Sequence, residues 1–145
     1  FIMDYLKVLV EEIHSVVVAT VDETGHPHTA VMDMMWEDGK TVYFLTADFK
    51  SLYKRLKEDG RVAVTGMTQG AGTMDRKSIS LTGQVEWIGK EHLEELLKAN
   101  PYMYEIYPTE EGRSHLQVFR FKNAVGNFYD LTQLPPYQAR FEIEG

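Results

Sequence analysis

The sequence predicts a mainly β domain, a six- to seven-stranded antiparallel barrel with peripheral helices, and three observations carry that expectation. β-branched runs of strand length recur between turn signals, and only three short stretches show helical spacing. Their order, α-β-β-β-α-β-β-α-β-β, lacks the regular alternation of a parallel doubly wound sheet. At 145 residues and 43% hydrophobic content, the chain suits one domain spanning residues 1–145.

Asp4 to Ser15 places Leu6, Leu9, Val10 and Ile13 at i, i+3, i+4 and i+7, which predicts an amphipathic helix lying across a sheet. Ser15 to Val21 is a β-branched strand, Asp22 to Gly25 a turn, and His28 to Trp36 a second, antiparallel strand. Within it Met32 and Met34 share one face, predicted to be core, and Asp33 and Met35 the other. Three roles stay open for Asp33: an edge residue, a dimer contact, or a carboxylate near a ligand. Glu37 to Lys40 turns the chain into a third strand, Thr41 to Thr46.

A helix follows from Lys50 to Lys57, with Leu52, Tyr53 and Leu56 on one face and Asp59-Gly60 as its stop. Arg61 to Met67 reads as a fourth strand, Gln69 to Thr73 as a loop, and Ser78 to Ile88 as a fifth strand. Glu91 to Ala99 forms a helix ended by Asn100-Pro101, Leu116 to Lys122 another strand, and Gly126 to Leu131 a last extended piece. The tail from Pro135 shows no evident periodicity and is expected to pack on a partner subunit.

Composition narrows the function classes. The net charge is −7, and the basic residues are scattered among acids, so no basic stripe awaits a nucleic acid. Without cysteine there are no disulfides, thiolate metal sites or iron–sulfur clusters. The apolar runs are too short to span a bilayer and no signal peptide is visible, so the expectation is a cytoplasmic protein with no membrane partner. His26 and His28 flank Pro27 with no third ligand nearby, and no metal site is expected. His14, His92 and His115 are expected to face solvent.

The stretch most suggestive of chemistry is Tyr43 to Lys54. A strand ending at Thr46 and a helix starting near Lys50 bring hydroxyls, free backbone N–H groups and lysines together, the components of an anion site suited to a terminal phosphate.

Gly25-His-Pro27, Asp38-Gly39, Val42-Tyr-Phe-Leu-Thr46-Ala47, Lys50-Ser51, Tyr53-Lys54 and Leu56, followed by Ile79 to Val85 with its Gly83, resemble in order and spacing the pyridoxamine 5′-phosphate oxidase-like FMN-binding proteins. The similarity runs from Val17 to about Leu131. It implies a split β-barrel of the FMN-binding type, in which a homodimer buries flavin at its interface. By that resemblance, the strand beginning Ala30, Val31 and Met32 runs under the flavin, His28 borders it, and Leu45 and Thr46 lie beside it. Lys50, Ser51, Lys54 and Thr46 hold the phosphate, and Lys77 and Ser78 reach the flavin from the second subunit. Trp36, Tyr102, Tyr104, Tyr107, Phe128 and Tyr129 are available for an opposite wall.

The departures bear on function. Where the oxidases proper carry cations, this chain has Ala30, Met35, Ser51 and Leu52, and its C-terminal stretch shows no substrate clamp. Vitamin B6 oxidation is therefore less favoured than a generic FMN-dependent reductase or oxidase acting on a small molecule, akin to the nitroimidazole-resistance flavoproteins. A flavin or haem carrier or sensor without turnover, and a reductase using F420, are the alternatives. No catalytic residue is assigned.

Overall fold

The computed structural model describes residues 1–144. Its chain order is α1 (Ile2–Lys7), a π-helical turn (Val8–Ile13), β1 (Ser15–Val21), β2 (Pro27–Asp33), β3 (Trp36–Glu37), β4 (Val42–Ala47), α2 (Ser51–Glu58), β5 (Arg61–Met67), β6 (Lys77–Gly89), α3 (Leu93–Ala99), α4 (Met103–Ile106), α5 (Glu110–Arg113), β7 (Leu116–Asp130) and β8 (Tyr137–Glu144). The eight strands form one antiparallel sheet in the order β2-β1-β5-β6-β7-β4-β3, with β8 added to β7. The sheet curls into a split β-barrel.

Strand length decides the curl. β7 runs fifteen residues. Its first part, Leu116 to Arg120, pairs with β4, and its second, Asn123 to Asp130, with β8. β6 pairs along both parts, with a register shift between Gln84 and Val85 that bends the ladder where β7 changes partners. At this bend Gly83 lies so close to the β7 backbone that a Cβ there would collide with the Asn123 carbonyl oxygen.

Alternation fills the interior. Val16 and Val18 of β1, Val62 and Val64 of β5, and Ile79 and Leu81 of β6 point inward and are buried with Phe44, Phe119 and Phe121. Leu6 and Leu9, one helical face, close the same core from α1 and the π-helical turn. A second cluster gathers Met35, Tyr43, Leu45, Leu116 and Val118 beneath Leu96 and Leu97 of α3 and Met103 of α4. β4 is therefore buried on both faces.

The structure corrects several boundaries. The N-terminal helix is two segments, because His14 N–H bonds back to Leu9 in the wider π register. The second strand stops at Asp33 and resumes as the separate β3. Leu116 to Leu131 is one strand up to Asp130, not two pieces: Phe141 of β8 covers Gly126, at which the sequence suggested a fresh start. The tail, expected on a partner subunit, packs on its own chain, where β8 pairs with β7 and sets Ala139, Phe141 and Ile143 against the core. α4 and α5 were not anticipated. Among the described residues, no helix is long and apolar enough to cross a membrane.

Candidate functional site

β2 lies at the edge of the sheet and pairs only with β1, so its outward N–H and C=O groups have no strand partner. Facing that edge is the N-terminus of α2. The N-cap, Lys50, is extended and offers no side-chain cap, and the first-turn N–H groups of α2 stay free for a ligand. Between them runs a groove of about 440 Å³, lined by residues 28–32 of β2 and by Lys50, Ser51, Leu52 and Arg55. Two side-chain cations, the hydroxyls of Ser51 and Thr29 and a set of backbone donors line it, which is anion-binding chemistry.

Of the residues singled out from sequence, His28, Ala30, Val31, Met32, Lys50 and Ser51 line this groove together. Leu45 and Thr46 sit on β4, the strand leading into α2; Leu45 faces the second cluster. The Thr46 hydroxyl is buried with no hydrogen-bond partner. Lys54 is exposed outside the groove. Lys77 and Ser78 open β6 elsewhere in the same protomer, with Lys77 Nζ 3.4 Å from Glu12.

Arg55 is the residue that sequence reasoning missed. It lies one turn after Ser51, at i+4, and that spacing places the two on one helix face, a signal that was present in the sequence. Its Nε donates to the buried Thr20 hydroxyl at 2.8 Å, which fixes the guanidinium beside the groove.

The profile of the pyridoxamine 5′-phosphate oxidase family matches residues 2–129. The chain belongs to that family. A search of curated proteins finds no match. Among solved structures, this family member is similar to a NimC/NimA family protein from Clostridium acetobutylicum, with 21% identity, coverage of 97% of this chain and 89% of that one, and a TM-score of 0.75. It is also similar to a pyridoxamine 5′-phosphate oxidase-related, FMN-binding protein from Nostoc punctiforme, at 11% identity, 89% and 85% coverage and a TM-score of 0.60. A haem-binding protein from Mycobacterium smegmatis matches at 13% identity and a TM-score of 0.71; the chain covers 57% of its length, with 94% of this chain aligned. At these identities the likeness is one of fold.

In this family member the turn before β2 is pinned by one carboxylate. Asp22 Oδ1 accepts from the Thr24 hydroxyl at 2.6 Å and from the N–H groups of Thr24 and His26, and Oδ2 accepts from His28 Nε2 at 2.8 Å. The Thr24 hydroxyl first, then His28, hold the Asp22 carboxyl well below the usual carboxylate range. Because the folded pKa is the lower one, the unfolded chain takes up the proton first; the contribution is complete above about pH 4 and fades as pH falls below it. Asp22→Asn is expected to flatten the acid limb of stability, measured as the urea midpoint between neutral pH and about pH 3.

Two further expectations are corrected. His14 is half-buried rather than solvent-facing: its Nδ1 donates to the Val10 carbonyl at 3.0 Å and its Nε2 meets the Tyr102 hydroxyl at 2.7 Å. That hydroxyl donates to Asp33 Oδ2 at 2.7 Å, while Ser15 Oγ donates to Oδ1. Burial, then Asp33, push the Tyr102 phenol above its ordinary range, so it stays protonated. His115 does face solvent, its side chain 45% exposed, while its Nδ1 lies 2.8 Å from Asp48. Of the aromatic candidates for a ligand wall, Phe128 belongs to the core.

Proposed function

We propose that two copies of this chain hold FMN between them and use it as an oxidoreductase on a small molecule. The observation that carries the reading is the groove in which the uncapped α2 N-terminus, Lys50, Ser51 and Arg55 meet the free edge of β2. A phosphate dianion suits the first-turn N–H groups, the Ser51 hydroxyl and the two cations. The backbone edge of residues 28–32 supplies directional donors and acceptors for a planar heterocycle. FMN, when bound, supplies the two-electron chemistry.

The chain's own residues bind, orient and exclude water. Lys50 and Arg55 neutralise the phosphate, and the Arg55 contact to Thr20 keeps that cation in place without the ligand. A second copy is supported by the outer sheet face, where Val17, Ala19, Val31 and Ala63 stand in adjacent registers, with Val31 72% exposed. Pairing there covers this apolar face and brings in Lys77 and Ser78 of the second copy as further contacts.

Purified protein incubated with excess FMN and desalted is expected to retain the visible flavin bands and to bleach on addition of NADH or NADPH. Colourless protein after desalting overturns the FMN reading and shifts weight to F420 or haem. A carrier or sensor is a second reading, supported by the groove's lining: among the described residues it holds no carboxylate, and its one imidazole, His28, is tied to Asp22. Retained flavin that no nicotinamide reduces favours that reading.

A further inference from the structure

The π-helical turn, the β2–β3 junction and α3 enclose a separate cavity of about 400 Å³. Met35 and the indole of Trp36 form its apolar wall, Trp36 being packed behind by Tyr43 and His92 with ring centroids 4.9 and 5.1 Å away. Every polar side chain at its lining offers an acceptor or is already engaged. Glu11 is exposed at the rim and has no ion-pair partner among the described residues, and Glu37 spends one oxygen on the Gly39 N–H at 2.7 Å. His14 is committed to Val10 and Tyr102.

Asn100 is the decisive group. It is 4% exposed, and its side-chain nitrogen donates to the carbonyls of Met35 and Leu96, each at 2.8 Å, which fixes which end of the amide is which. Its oxygen receives no donor from the described residues, yet Asn100 lines the cavity. An amide oxygen without a protein donor, on a buried residue at the cavity lining, suits an N–H donor, and the indole and two carboxylates beside it favour one that carries positive charge. Among the described residues, no lysine or arginine lines the cavity to serve as one.

We propose that this cavity is a binding site for a small planar organic cation of the amidinium or guanidinium class. The planar cation stacks against Trp36, donates to Asn100 Oδ1, and is neutralised by Glu11 and Glu37. Its stem lies on Met35. The site is distinct from the groove at α2 and does not depend on flavin.

Benzamidine is the probe, with benzamide as its neutral near-isostere and benzoate as its anionic counterpart. The chain has two tryptophans, so Trp87→Phe leaves Trp36 as the sole indole reporter. Saturable change in Trp36 fluorescence is expected with benzamidine, and none with benzoate. Glu11→Gln and Glu37→Gln should each weaken benzamidine about fivefold, the range for a partly exposed charge pair, without altering benzamide. Added FMN should leave the titration unchanged. No saturation at millimolar benzamidine, equal binding of benzamide, or indifference to both glutamate variants overturns the proposal. Unchanged circular dichroism of the glutamate variants guards against misfolding, and because apo protein suffices, failure of the flavin reading leaves the result intact.

Discussion

Gly83→Ala is expected to destabilise the fold by about 3 kcal/mol, the upper range for overpacking a close-packed site, and to lower Tm by roughly 10 °C. The methyl it adds would collide with the Asn123 carbonyl oxygen and lie 2.6 Å from the Ala124 Cα and 2.9 Å from the Ala124 Cβ. Two of those three are backbone atoms of a strand held on both sides, by β6 and β8, so rotamer change offers no relief. The clash falls where the ladder shifts register and β7 changes partner, so displacing it disturbs both halves of the barrel. Gly72→Ala is the control: nothing lies within 4 Å of a Cβ there, the backbone is extended, and the expected change is within about 0.5 kcal/mol. Equal melting temperatures for the two variants, read by differential scanning calorimetry, would contradict this account of the bend.

The barrel strands were legible because their inward positions carry β-branched side chains at period two, as in Val16 and Val18 or Val62 and Val64. The last strand has the period-two apolar alternation in Ala139, Phe141 and Ile143, but only Ile143 is β-branched, and the proline-rich flank and intervening charges mask the pattern. β7 was split in reading because Gly126 weakens a strand by local rules; the gap its hydrogen leaves is occupied by Phe141, fifteen residues on, and only tertiary packing reveals that. Long-range polar pairs lay further out of reach. His14 and Tyr102 are 88 positions apart, and Asn100 and the Met35 carbonyl 65, with nothing local to tie them. At the groove, residue type and spacing were enough for Lys50 and Ser51, whereas the choice between Lys54 and Arg55 depended on which helix face meets β2.

That choice has a measurable consequence. Arg55→Ala is expected to weaken FMN binding about 50-fold, within the range for a charge-assisted hydrogen bond whose partner is lost, and Lys50→Ala about tenfold, since its stem is exposed and its charge more screened. Lys54→Ala, outside the groove, should change affinity less than threefold, by screened charge alone. Riboflavin separates phosphate recognition from general damage, because it keeps the ring and loses the anion: its affinity should be nearly the same in all four proteins. Arg55→Lys is the second check, restoring charge without the planar fork that also reaches Thr20, and it should recover part of the loss. If Arg55→Ala weakens riboflavin as much as FMN, the guanidinium acts through Thr20 and the β1–α2 packing rather than through the phosphate. If Lys54→Ala proves the most damaging, the phosphate lies on the outer face of α2, and the groove against β2 is not where the anion sits.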